Sequence, residues 1–366
     1  MKKVKILIRL ILASFILFSC TCIVGQNNNI KTKNDLIHLK LKGKVKSLTE
    51  TYFDAVDKFG VIQKGQKGTK EVKSFNYKGN IIEASNYASN DILCYKYVYK
   101  YDYNGNVIEK SYYKPILFDK NIYKYNSNGN IIEDNYYFSN GLLVNKNIYK
   151  YDSKEKLLEK KQYNSRGTLE IKETYNYDYI GNKIEWGKYF YESEGTLNNS
   201  SVYTYKFDKK GNLIEQNLYY TGSFFEKTNF KYDDNGILTE QNSYNSEGNL
   251  KEKIIYDKKG NKIEDINYNS KGNLKEKLNC KYGDKGNMID YVHIEYNADG
   301  AISEKESGKY DDNGNEIEVI EYGINGSLDN TTTFKYDYDQ TGNWIKKTKY
   351  KNFIPQIIIE REIKYY

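Results

Sequence analysis

One nine-residue pattern, Y-D-x-x-G-N-x-I-E, recurs along the chain and dictates its architecture. A full copy reads Tyr101-Asp102-Tyr103-Asn104-Gly105-Asn106-Val107-Ile108-Glu109. Further copies centre on Gly129, Gly181, Gly211, Gly236, Gly260, Gly286, Gly314 and Gly342, with a degenerate one at Tyr151 to Lys156 and an early one at Phe75 to Asn80. Apart from the stretch with the degenerate copy, neighbouring full copies lie 24 to 30 residues apart. A second, similar turn sits within each unit, as in Tyr244-Asn245-Ser246-Glu247-Gly248, and Gly236, Gly248, Gly260 and Gly272 are spaced by 12. The building block is therefore one strand plus one turn, and two blocks make a repeat.

The turn has a local mechanism. Asp or Asn at its first position hydrogen-bonds its own backbone two residues on. Gly three residues later supplies the positive φ that closes a type I turn with a G1 bulge and joins two antiparallel strands. About eight residues remain for each strand, near the usual length. The expected fold is all-β: tandem antiparallel β-hairpin repeats forming a long meander of roughly twenty strands over residues 71–366. So wide a sheet is expected to twist or roll up.

Simple alternation from the turn then assigns faces. It places Tyr101, Glu109 and Tyr113, then Tyr125, Glu133 and Tyr137, then Tyr256, Glu264 and Tyr268 on one face. Ile108 and its equivalents fall on the other, beside Lys100, Lys124 and Lys150. The ends differ from the array. Within residues 26–70, Lys44 to Phe53 reads as a lone capping strand. Asp54 to Lys70, with Gly60, Gly65 and Gly68, reads as a loop. Gln356 to Tyr366 reads as a final strand, with Pro355 suited to an edge.

Composition agrees with strands. The 366 residues include 40 Tyr and 27 Gly but 2 Pro, and aromatics make up 15%. A mean hydropathy of -0.82 is very polar, yet disordered chains are poor in aromatics. The reading is a thin, solvated sheet. Residues 1–25 stand apart: Lys2, Lys3, Lys5 and Arg9 precede or interrupt an apolar run to Phe18, the form of an export signal. Two processing readings stand side by side, and an uncleaved anchor, disfavoured by Arg9 and the short apolar run, is a third. Leu17-Phe18-Ser19-Cys20 is a lipobox that would make Cys20 a lipidated N-terminus; alternatively, cleavage follows Gly25. Either reading places the chain outside the cytoplasm, at the cell surface, on the outer membrane or secreted. Membrane contact is expected only through the lipid anchor.

The formal net charge of +7 falls to about +3 without the signal, and Lys and Glu alternate rather than cluster. Nucleic acid is therefore not an expected partner. Cys94 and Cys280 lie far apart in the array and are expected as free thiols.

The Y-D-x-x-G-N core and its spacing from about residue 71 onward resemble the YD repeats of the bacterial RHS family. That resemblance implies exported β-sheet arrays. In large members the sheet spirals into a shell around a C-terminal toxin, and wall-associated relatives have been suggested to bind carbohydrate. This chain lacks the long core segment, the self-cleaving region and the variable toxin domain, which argues against enclosed cargo.

No catalytic constellation emerges. Glu83, Glu109, Glu133, Glu185, Glu215, Glu240, Glu264 and Glu318 hold one repeat position. Glycoside hydrolysis needs two carboxylates flanking one bond, whereas a carboxylate in every copy reads as a structural ladder. Asp311 to Asn315 and Asp337 to Gly342 resemble calcium loops, but Tyr322 and Thr348 stand where a bidentate Glu is required, so no metal is expected. His38 and His293 share no context, Cys94 has no evident His partner, and the Gly-Asn pairs open strands rather than phosphate-binding helices, so no cofactor is expected either.

The remaining candidates are the tyrosines Tyr101, Tyr113, Tyr125, Tyr137, Tyr256 and Tyr268 with Glu109, Glu133 and Glu264. Sugars stack on aromatic faces and bond to carboxylates, and repeated shallow sites add avidity along a polymer. The leading expectation is a non-catalytic surface protein that recognises a polysaccharide or cell-envelope glycan. The alternatives are a structural or protein-interaction scaffold, working through its edge strands, and an accessory part of an RHS-type toxin-delivery system.

Overall fold

In a computed structural model the described residues are 34–114, 116–192, 195–324 and 326–366. The expected signal, with Cys20, lies outside them. They form twenty-four strands and one short helix. Helix α1 spans Asp35–His38 and precedes β1 (Val45–Lys58), β2 (Val61–Phe75), β3 (Ile81–Tyr87), β4 (Leu93–Tyr101), β5 (Val107–Tyr113), β6 (Leu117–Tyr125), β7 (Ile131–Phe138) and β8 (Leu143–Tyr151). The array continues through β9 (Leu157–Asn164), β10 (Leu169–Tyr177), β11 (Lys183–Tyr191), β12 (Leu197–Phe207), β13 (Leu213–Tyr220), β14 (Ser223–Tyr232), β15 (Leu238–Asn245) and β16 (Leu250–Tyr256). It ends with β17 (Lys262–Tyr268), β18 (Leu274–Tyr282), β19 (Met288–Tyr296), β20 (Ile302–Tyr310), β21 (Glu316–Tyr322), β22 (Leu328–Tyr338), β23 (Trp344–Lys351) and β24 (Ile354–Tyr365).

Each strand pairs antiparallel with the next, and β1 also pairs with β24, from Val45↔Tyr365 to Asp54↔Ile357. The meander therefore closes into a barrel. At a strand spacing of roughly 4.8 Å its perimeter is on the order of 115 Å, far beyond the eight-strand ring that side chains can fill. Closure corrects the expectation of free edge strands. It also places Pro355 at the start of a strand paired on both sides, beyond the point where the β1 ladder stops.

The turns follow the expected chemistry. Asp102 N donates to Asn106 O at 2.9 Å and Gly105 N to Asp102 O at 3.1 Å, with Gly105 at φ 89°. The Asp102 carboxylate accepts from Asn106 N and from its side-chain amide. In the degenerate copy Glu155 takes the glycine position at φ 64°. Alternating strand direction sends the turns to opposite ends. The YD turns line a first rim, and the turns between them line a second.

The N-terminal part departs from its reading. Asp54 to Lys70 is not a loop, and the strand beginning near Lys44 is not alone: β1 and β2 form a long hairpin that turns at Phe59-Gly60. Gly65 and Gly68 lie inside β2 where β1 approaches closely. A Cβ on Gly65 would sit 2.7 Å from Val56 Cγ2. Glycines read as loop punctuation therefore mark register shifts in a strand.

The one buried apolar cluster among the described residues closes the seam. Leu36, Leu41, Val45, Leu48 and Phe75 pack together, with Leu39, Ile81 and Ile363 against them. Asn34 caps α1 through Leu36 N, and Asp35 Oδ2 accepts from Ile81 N at 2.7 Å. Asn343 exchanges two hydrogen bonds with the Lys42 backbone, both 2.8 Å, tying this segment to the β22–β23 turn.

Candidate functional site

The candidate residues divide between two faces because every hairpin from β2–β3 onward carries a bulge beside its turn. Tyr101 opposes Val107, but Lys100 opposes Glu109, which leaves Ile108 as an extra residue. The same shift occurs at Lys124/Tyr125 and Ile255/Tyr256. Two residues on the bulged strand oppose one on its partner, so simple alternation fails across the turn. Ile108, Glu109 and Lys100 share a face, while Tyr101 stands on the other. This corrects the expected grouping. Tyr101, Tyr125 and Tyr256 belong to a tyrosine face; Glu109, Glu133, Glu264, Tyr113, Tyr137 and Tyr268 belong to a lysine–glutamate face.

On the tyrosine face the phenols act as staples. Tyr101 Oη donates to Ile81 O at 2.6 Å and Tyr125 Oη to Val107 O at 2.7 Å. Tyr151, Tyr177, Tyr232 and Tyr336 repeat the contact on Ile131, Leu157, Leu213 and Glu316 carbonyls. The ladder between hairpins stops at Glu83↔Val98, short of Ile81, so the hydroxyl takes a carbonyl that the ladder leaves over. Burial pushes the Tyr125 phenol up to about 12 and raises Tyr101 further. Tyr256 is buried. Tyr101 and Tyr125 are half-buried, with their hydroxyls already engaged.

On the opposite face the glutamates form an ion-pair ladder. Glu109 takes Lys100 at 2.9 Å and the Ser111 hydroxyl at 3.0 Å. Glu133 binds Lys124 at 2.8 Å, Lys146 at 2.9 Å and the Asn135 amide at 2.8 Å. Glu264 binds Lys277 at 2.6 Å. The lysines hold the Glu133, Glu215 and Glu240 carboxyls down to about 2. A carboxylate so held is a poor proton donor. The ladder reverses sign in the last repeat, where Lys346 faces Asp337 and Glu360. Lys96 lies over the Tyr113 ring at 5.3 Å, Tyr137 faces Lys120, and Tyr268 ends β17 across from Leu274.

Other candidates are also occupied by structure. Asp311 accepts from Asn315 and the Tyr338 hydroxyl, and Asp339 from Thr341, Asn343 and the Tyr365 hydroxyl. No group of three metal-ligating side chains occurs among the described residues. Cys94 and Cys280 are free thiols, as expected, and closure does not join them. His293 Nε2 pairs with Glu276 at 2.7 Å.

Face assignment did not reveal the most open tyrosine rings. Tyr77, Tyr103 and Tyr179 are exposed on first-rim turns, Tyr103 at 95% and Tyr179 at 90%. Their signal was available: each is an aromatic residue directly after the turn Asp or Asn, a position that Ser, Lys or Asp fills in nearly all the other copies.

A family model described as "Uncharacterised protein" matches residues 190–303. No curated protein matches the chain. Among solved structures, the Photorhabdus luminescens Tc holotoxin pore carrying TccC3-D651A is similar over 78% of this chain, at 14% identity and a TM-score of 0.30. The TcdB2-TccC3-Cdc42 complex is similar over 80%, at 13% identity and a TM-score of 0.20. This chain spans 17% and 21% of those chains. A porin-like protein from Bacteroides uniformis is similar over 88% of this chain and 98% of its own, at 8% identity and a TM-score of 0.22.

Proposed function

We propose that this protein is an exported, non-catalytic scaffold: a self-closed β-barrel whose repeated side chains serve its own wall. The observation that carries this reading is the use made of the two repeat residues best suited to a glycan. The tyrosine hydroxyls are spent on backbone carbonyls and the glutamates on lysines. A binding lattice keeps such groups open to its ligand.

A second reading rests on Tyr103 and Tyr179, whose exposed rings stand on the first rim and suit stacking on a sugar. A binding screen of the chain from Gln26 against immobilised polysaccharides, peptidoglycan included, separates the two. The scaffold reading expects no saturable binding. Saturable binding lost in Tyr103→Ala and Tyr179→Ala would replace it with recognition at the rim. Loss in Tyr113→Ala and Tyr137→Ala, in a chain that stays folded, would restore a glycan site on the sheet face.

A further inference from the structure

The second rim is chemically lopsided. Six consecutive turns, from β21–β22 across the seam to β7–β8, each present an exposed apolar side chain: Ile324, Phe353, Phe59, Ile92, Ile116 and Leu142. Phe59 is fully exposed and Phe353 is 82% exposed. The turns of β9–β10, β15–β16 and β17–β18 instead present Ser165-Arg166, Ser246-Glu247 and Ser270-Lys271, and the β13–β14 tip is Thr221-Gly222, with Tyr220 and Phe225 exposed on the strands beside it. Phe59 lies at the centre of the apolar arc and projects furthest. β1 pairs with β24 only to Asp54, and β2 pairs with β3 only from Lys70, so the hairpin tip stands clear of both neighbours.

We propose that this arc is a membrane-docking edge that dips its turn tips into the interface of an anionic lipid bilayer. Turns at a rim normally carry polar residues, and a run of six apolar tips asks for an apolar phase. The tips belong to successive hairpins, hence stand roughly 10 Å apart, two strand spacings. Separate spikes do not build the packed patch of about 800 Å² per partner that a stable protein interface needs. A fluid lipid surface accepts each tip on its own. The charges fit the same occupant. Exposed lysines flank three tips, Lys58 beside Phe59, Lys114 near Ile116 and Lys351 near Phe353, placed to reach headgroup phosphates while the apolar side chain goes deeper. Of the acidic groups at these turns, Asp91 is engaged by Lys67 and Lys70, and Asp57, beside Lys58, accepts from Gly60 N at 2.7 Å. This surface is distinct from any lipid on Cys20, and the inference does not depend on the scaffold reading.

Flotation with vesicles tests it, using the chain from Gln26 so that residues 1–25 cannot carry the binding. The protein is expected to float with phosphatidylglycerol–phosphatidylcholine vesicles, and less with phosphatidylcholine alone. The double substitution Phe59→Ser, Phe353→Ser is expected to cut the bound fraction about tenfold or more. Both rings are exposed, so the thermal melt should not move. Lys58→Glu, Lys114→Glu and Lys351→Glu together should abolish the preference for anionic lipid, and Glu247→Ala on the polar arc should change nothing. In Phe59→Trp, indole emission should shift to the blue on adding vesicles. Failure of the unsubstituted chain to float, or equal flotation of the double variant, would overturn the proposal. So would an arc-dependent dimer, seen by light scattering, in place of lipid binding.

Discussion

Glu133→Gln isolates the ion-pair ladder from the rest of the wall. The carboxylate takes two lysines and one amide at 2.8 to 2.9 Å, and its side chain is 18% exposed. Lys124 and then Lys146 hold its pKa at about 2 against an ordinary 4.5. At roughly 1.4 kcal/mol for each tenfold change in acidity, that depression sets a ceiling of about 3 kcal/mol. The Lys124 side chain is 60% exposed, so screening cuts the figure. Exposed pairs contribute about 0.2–1 kcal/mol each, and two pairs with a charged hydrogen bond give about 1–2 kcal/mol. The sign follows from the direction of the shift. A carboxyl depressed in the folded state stabilises it fully above pH 4.5, and the contribution fades as pH falls toward 2. Urea unfolding followed by circular dichroism from pH 7 down to pH 2.5 reads this directly. The variant should be less stable at neutral pH, and the deficit should shrink steadily in acid. A deficit that stays constant with pH would refute the electrostatic account and leave only packing. No deficit at neutral pH would refute the ladder's contribution altogether.

Other expectations follow from the same wall. Tyr125→Phe removes the bond to Val107 O and should cost about 1 kcal/mol in urea unfolding. Its absorbance titration should lose a phenol that ionises near pH 12, and its raised pKa means that the stability it provides is lost as pH climbs from 10 toward 12. Gly248→Ala meets no atom within 4 Å but must hold φ near 85°, so it should cost about 1–2 kcal/mol. Gly308→Ala has an ordinary φ but would put its Cβ 2.1 Å from the Tyr291 ring, so it should cost more and displace Tyr291 from Glu306. At the seam, Arg361 bonds Glu50 at 2.8 Å with both side chains 12% exposed. Glu50→Gln should cost about 3 kcal/mol and speed hydrogen exchange in the β1–β24 ladder before the other strands.

Legibility tracked how local each feature is. Asp102, Gly105 and Asn106 interact within five residues of chain, so the turn could be read letter by letter. Face assignment failed at Ile108 because a bulge is a property of two strands in register, and nothing in Val107-Ile108-Glu109 taken alone marks the extra residue. The same holds for Gly65 and Gly68. Their spacing fits loop punctuation as well as strand bulges until β1 lies beside them. The structural account of the repeated glutamates was readable, since their periodicity already argued for a ladder. The partner of each tyrosine was not, because Tyr125 reaches Val107 across a neighbouring hairpin.

By itself the sequence determined the repeating strand and its turn, because each depends on contacts inside one hairpin. Closure was decided only in three dimensions. β1 must find β24 about three hundred residues away, and the match depends on accumulated twist and on the seam cluster of Leu36, Leu48 and Phe75. The tertiary structure also decided which groups remain available to a partner. Folding the repeats against one another consumes the Tyr and Glu that look most like a binding lattice, and leaves the turn tips of the rims exposed.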